Sequence, residues 1–295
     1  MVNLSCVTGD DLQPSRTALL SAAARAAHVL VDDDPALFLD DLAERVLGTA
    51  GTDMIRYHRH QGGHPILAAA RVQATLRSRF AEAALRDAVG RGVDQYLLLG
   101  AGLDTFGVRS ELARSLLVVE VDHPATQRWK RSRRADTGLD ASSAVRYVDA
   151  DLTADAVLDR ALSVGLDASR PVFVSWLGGV PYFRPCELSR VLSDLARLPP
   201  GSELVADYHV PPDWQDDHAE LYVRAVSEVA SDGAEPWRSS FTPDGVAALL
   251  AENGFVVVTD HSERDSVPAG FWERRDGLRP GSLMRLVHAR RTADG

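Results

Sequence analysis

The sequence predicts a doubly wound α/β fold: a mostly parallel sheet of seven strands, one of them reversed, preceded by a helical segment. Three observations carry this expectation. From residue 94 onward, short β-branched and Leu-rich runs alternate with stretches long enough to be helices, as in sheets covered on both faces. Before residue 90 the chain is rich in Ala, Leu and Arg, with apolar positions at helical spacing such as Leu19, Ala22, Ala23, Ala26, Val29 and Leu30. The last two strand-like runs are joined by a polar stretch containing Gly and Pro with little helical periodicity, so this pair is expected to be antiparallel.

Residues 1–90 read as a helical lid. Asp32-Asp33-Asp34-Pro35 breaks the first helix, Pro35 fits the opening of a second, and Gly48 to Gly51 end that one. A third helix is expected from about Pro65 to Val89. Residues 91–295 read as the core. Its strands are expected at Gln95–Leu99, Leu116–Val121, Val145–Val148, Val172–Trp176, Glu203–Tyr208, Phe255–Thr259 and Leu283–Ala289. Residues 209–240 form an insertion that begins His209-Val210-Pro211-Pro212 and carries Trp214, Tyr222 and Trp237, an excursion of the kind that covers a site.

Composition narrows the function. The 295 residues include 45% hydrophobic side chains, enough for a large core, and carry a formal net charge of −10 that would repel a phosphate backbone. Nucleic acid is therefore not the expected partner. The basic run Arg128-Trp129-Lys130-Arg131-Ser132-Arg133-Arg134 reads as a solvated helix face, with a docking patch for an acidic carrier protein as the sharper alternative. Cys6 and Cys186 suggest no disulfide framework, and the opening Met1-Val2-Asn3-Leu4-Ser5-Cys6 lacks the features of a secretory signal, so a reducing cytoplasmic setting is expected. No stretch approaches the roughly 20 apolar residues that span a bilayer, and no membrane partner is expected. The oligomeric state is open.

The strongest motif is Tyr96-Leu97-Leu98-Leu99-Gly100-Ala101-Gly102-Leu103-Asp104-Thr105, a buried strand entering a Gly-x-Gly turn at its carboxyl end, where open α/β sheets bind ligands. The next strand ends in Asp122, placed either to accept hydrogen bonds from ribose hydroxyls or to cap the following helix. Thr105 stands where a dinucleotide fingerprint has its third glycine, which weakens a nicotinamide reading. After the third strand, Asp151 and Leu152 offer an acceptor for an adenine amino group and an apolar wall for its ring, with Asp151 as a helix N-cap the plainer alternative.

At this point the chain resembles the leucine carboxyl methyltransferase-like proteins, which include polyketide O-methyltransferases of tetracenomycin type. The resemblance runs through Ser15-Arg16-Thr17-Ala18, Leu76-Arg77-Ser78-Arg79-Phe80, the glycine motif at 98–105, Val119-Glu120-Val121-Asp122-His123-Pro124, Phe173-Val174-Ser175-Trp176-Leu177 and Phe241-Thr242-Pro243. It implies a Rossmann-like class I methyltransferase using S-adenosylmethionine, with a carboxylate or hydroxyl of a small molecule as acceptor. It further implies Gly100, Ala101 and Gly102 along the methionine part, Asp122 at the ribose, Asp151 and Leu152 at the adenine, and His123, Ser175 and Trp176 among the cofactor contacts. An arginine from the N-terminal helices is implied at the methionine carboxylate; Arg77 and Arg79 both fit the motif, but two positions apart on a helix only one can face the ligand. Trp176 departs from the acidic residue that many members carry there.

Methyl transfer from a sulfonium needs alignment and exclusion of water rather than a nucleophile, and no Gly-x-Ser-x-Gly turn suggests a hydrolase. Tyr208 and His209, at the end of the fifth strand, are the candidate catalytic contacts. His58, His60 and His64, and likewise His209 with His218, lack metal-ligand spacing and read as surface residues apart from His209, so no metal is expected. A metal-assisted C-methyltransferase or an NAD(P)-dependent oxidoreductase on the same type of fold remains the alternative.

Overall fold

The computed structural model describes residues 14–139, 145–230 and 236–293; the chain start with Cys6 and residues 231–235 of the insertion lie outside them. Helix α1 (Arg16–Val31) opens where the Ser15 side chain accepts the Ala18 amide. Three further helices precede the sheet: α2 (Ala43–Leu47), α3 (Thr52–His60) and α4 (Pro65–Gly90), the last with Pro65 in its first turn. Pro35 opens no helix. Residues 35–42 are instead anchored by polar contacts that replace helical ones: Leu37 donates its amide to His28 Nε2, the Leu37 carbonyl accepts from Arg79, and the Asp40 carboxylate pairs with Arg25.

All seven strands form: β1 (Gln95–Leu99), β2 (Leu117–Asp122), β3 (Val145–Asp149), β4 (Phe173–Trp176), β5 (Glu203–His209), β6 (Phe255–Ser262) and β7 (Met284–Arg291). They lie in one sheet in the order β3-β2-β1-β4-β5-β7-β6. β1 to β5 are parallel, while β7 runs antiparallel to both β5 and β6. The reversal follows from the connection, because residues 263–283 contain only the short turn Ala269–Trp272 and no helix to carry a crossover.

The remaining helices are α5 (Phe106–Arg109), α6 (Pro124–Asp136), α7 (Val157–Ser163), α8 (Pro185–Leu195), α9 (Asp217–Ala230) and α10 (Pro243–Ala251). One sheet face packs Leu97, Leu99, Trp176 and Tyr208 against apolar residues of α7, α8 and α10. The other packs Tyr96, Leu98 and Val205 against Ala81, Leu85 and Ala88 of α4 and Phe106 of α5. Because β1 is buried along its whole length, its end at Leu99 delivers the glycine turn at a fixed height above the core. No described helix is long and apolar enough to cross a membrane.

The basic run on α6 is divided: two of its five basic side chains turn inward, while Arg128 and Arg131 stay exposed. Lys130 and Arg134 are buried on the Glu120 carboxylate of β2, with Lys130 Nζ 2.7 Å from Glu120 Oε2. Arg131 lies over the Tyr147 ring, and Arg133 pairs with Asp136. Neither a fully solvated face nor a continuous basic docking patch results.

Candidate functional site

The glycine turn is built as the motif requires. Gly100 and Gly102 adopt φ of +61° and +46°, a left-handed conformation that side chains disfavour. The Asp122 carboxylate accepts the Gly102 amide through Oδ2 and the His123 amide through Oδ1, tying the end of β2 to the turn. Burial pushes the Asp122 carboxyl up from its ordinary value while those two amides pull it down. The opening of α1 rests on the turn as well, since a methyl group placed on Gly102 would meet Ala18 Cβ at 3.4 Å.

Leu152 is buried, with Cδ1 4.0 Å from where a Gly100 side chain would begin, so it walls the same space. Asp151 beside it is exposed and does not cap a helix. Its Oδ1 accepts the amide and hydroxyl of Thr153, so Oδ2 is not used in that local turn.

The structure separates the two arginines. Arg77 reaches Ser21 of α1 at 2.7 Å, lies flat against Gly178 after β4, and comes within 3.9 Å of the Asp207 carboxylate. Gly178 has φ of +66°, and a side chain there would run into the guanidinium at 2.6 Å, so the close approach requires glycine. Arg79 points elsewhere: it bonds the Leu37 carbonyl and stacks over Phe271, which removes it from the candidate cofactor contacts.

Asp207 is fully buried, accepts the Gly178 amide and has its carboxyl pushed up by burial, with Arg77 opposing. Two positions on, His209 shares its face of β5. Burial first and the Arg77 charge second hold the His209 imidazole down at about 3, so it is neutral throughout the neutral range. Its ring meets Trp237 edge to face at 4.4 Å, and Trp237 stacks on Tyr222 of α9. Two aromatic residues of the insertion, Tyr222 and Trp237, thus gather at the end of β5, while Trp214 is exposed.

Other expected site residues do not join this group. Tyr208 alternates to the opposite face, where its hydroxyl donates to Asp260 at 2.7 Å, and burial with that carboxylate pushes its pKa up. It belongs to the core and is not a catalytic contact. Ser175 is buried against the Tyr96 hydroxyl, and Trp176 is 1% exposed and packed edge-on to Phe183, so neither offers its side chain to a cofactor. His58 is also no surface residue: it is buried beside Arg71, which bonds its Nδ1, and burial holds it at about 4. Among the described residues no group of His, Cys, Asp and Glu has the arrangement of a metal site.

Sequence reading missed Arg25, Asp40 and Asp207. Arg25 donates to Asp40 and to the Leu103 carbonyl, and Asp40 also accepts the Thr105 hydroxyl, so this pair clamps the segment after the glycine turn. Asp207 carried a usable signal, an acid ending the otherwise apolar run Leu204-Val205-Ala206. Asp40 carried none, because its partners are remote in sequence.

Comparison with known proteins fits this geometry. The family model described as leucine carboxyl methyltransferase matches residues 18–196, more than half of the chain. The chain belongs to the leucine carboxyl methyltransferase family. A Bacillus subtilis relative, YktD, is 31% identical over 94% of this chain and 98% of its own length, and its name assigns it to the S-adenosyl-L-methionine-dependent methyltransferases. A Mycolicibacterium paratuberculosis relative with the same designation is 30% identical over 85% of this chain and 91% of its own. In fold, this leucine carboxyl methyltransferase family member is similar to a Thermobifida fusca protein described as a methyltransferase, with TM-score 0.61 at 19% identity over 99% of this chain and 100% of that one. A DUF574 family protein from Streptomyces avermitilis gives TM-score 0.59 at 18% identity over 95% and 99% of the two chains.

Proposed function

We propose that this methyltransferase transfers the methyl group of S-adenosylmethionine to a carboxylate oxygen of a small molecule, with the polyketide-type acids suggested by the sequence resemblance as the first class to try. The cofactor is S-adenosylmethionine, which supplies an electrophilic methyl on a sulfonium. The residues present fit it: a left-handed glycine turn that lets a ligand approach the backbone, an acid at the end of the next strand, an apolar wall at Leu152 and a cation at Arg77.

In this reading Gly100, Ala101 and Gly102 border the methionine part and Arg77 pairs with its carboxylate. Asp122, each of whose oxygens still has a free lone pair, accepts from the ribose, while Asp151 Oδ2 and Leu152 hold the adenine. His209, Tyr222 and Trp237 shape the acceptor side, where their packing excludes water from the line of transfer.

What supports this choice of acceptor is the burial of His209 against Trp237, beside the Arg77 charge. A histidine held at about 3 is a poor base at neutral pH. A carboxylic acid of pKa about 4 is already ionised there, whereas a phenol near 10 must lose a proton. The single-turnover rate at saturating acceptor is therefore expected to stay nearly flat from about pH 6 to 9. One group favours a second reading: Glu263, raised by burial to about 7, has the right range for a base toward a hydroxyl acceptor. A rate that climbs through about pH 7 and loses that climb in Glu263→Gln would replace the carboxylate by a hydroxyl.

A further inference from the structure

We propose that Glu263 and His218 form a recognition site for a hydroxyl group carried by the methyl acceptor, an inference that rests on the small-molecule methyl transfer proposed above. Glu263 follows β6 and is 2% exposed. Its Oε2 accepts the Gly281 amide at 2.7 Å and the Met284 amide also acts on the carboxylate, but its Oε1 is buried without a well-formed hydrogen bond among the described residues. The same holds for Nε2 of His218, in the first turn of α9. The two side chains share one spot: a methyl group built on Gly281 would lie 3.5 and 3.9 Å from the Glu263 oxygens and 3.7 Å from His218 Cδ2.

Buried polar atoms are nearly always paired, so two orphans around one spot, too far apart to pair with each other, mark a place that a ligand completes. A hydroxyl answers both atoms at once, donating to Glu263 Oε1 and accepting from an Nε2–H of His218. An ammonium has donors only and a carboxylate acceptors only. A second carboxylate would also face Glu263 and the nearby Asp216, which already pushes Glu263 up.

The pair sits on the insertion side of the proposed acceptor pocket. Tyr222, one turn along α9 from His218, feels the charges of both Arg77 and Glu263 and stacks on Trp237 beside His209. A cavity of about 230 Å³ lined by His209, Gln215, Trp237 and Leu283 runs next to the junction where the Asp216 amide bonds Ser282.

The test uses the full-length protein with methyl-labelled S-adenosylmethionine and matched acids: salicylate against benzoate, mandelate against phenylacetate, and anthranilate as the amino counterpart. The wild type is expected to favour the hydroxy acids in kcat/KM by at least about tenfold, with the difference collapsing toward one in His218→Phe and in Glu263→Gln. An unchanged ratio in the variants, or a preference for anthranilate, overturns the proposal. If no acid is methylated, the carboxylate reading fails, and thermal melting of the S-adenosylhomocysteine complex decides the pair separately. His218→Phe should then melt at or above the wild type, because it removes an unpaired buried nitrogen; a clear drop would make His218 structural and overturn the assignment.

Discussion

Arg77 and Arg79 differ by two positions and by everything they touch. Arg77→Ala should weaken S-adenosylmethionine binding by about 1.5–3 kcal/mol, the worth of a charge-assisted contact, in isothermal titration. Arg79→Ala should leave affinity in place and lower the melting temperature, because its bonds go to the Leu37 carbonyl and the Phe271 ring. Equal losses of affinity in the two variants would contradict the assignment. Periodicity could show that one arginine faces inward but not which one, since that depends on Gly178 and Asp207 more than 90 residues away. The buried histidines give a pH dependence of defined sign. His58, held at about 4 by burial, is neutral in the folded protein, whereas the unfolded chain takes up its proton near pH 6.5. Its stabilising effect is thus complete above about pH 6.5 and is lost as pH falls toward 4, a loss on the order of 3 kcal/mol. Melting temperature followed across that window should fall less steeply in His58→Phe than in the wild type.

The glycine turn works as part of a larger assembly of α1, the segment at 35–42 and the loop after β1. Asp40 stands at its centre, buried, bonded by Arg25 and Thr105 and approached by Arg109 at 3.8 Å. Asp40→Ala would leave the buried Arg25 without its carboxylate and release the clamp on Leu103. A loss of about 3–5 kcal/mol in chemical denaturation is expected, together with weaker cofactor binding. A stable variant with full affinity would show that the turn holds its shape alone. The strands were legible because β1, β2 and β4 are short apolar runs whose period needs no tertiary context, and the turn because Gly100 and Gly102 are the residues a left-handed bend demands. The segment after Asp32 was not. Pro35 is as compatible with a helix start as with the bent, irregular path it takes, and the choice is made by His28, Arg25 and Arg79 from other helices. Tyr208 and His209 show the same boundary: the strand end was readable, but which neighbour takes the pocket face was fixed by the register against β7.

Across the whole chain, the glycine turn after β1, Gly178 after β4 and His209 of β5 stand at the carboxyl ends of parallel strands, which is where the proposed chemistry belongs. Arg77 on α4, the glycine turn after β1 and Tyr222 and Trp237 of the insertion meet there because β1, β4 and β5 run parallel and end at one edge. If the methyl group ends on a carboxylate oxygen as proposed, the product is a methyl ester, and its stability to alkali reveals the acceptor. Protein incubated with methyl-labelled S-adenosylmethionine and a mixture of carboxylic acids and phenols yields labelled products that can be treated with alkali. The label is expected to leave as methanol, as it does from a methyl ester. Label that stays on an alkali-stable product, an ether or a carbon-bound methyl, would contradict it.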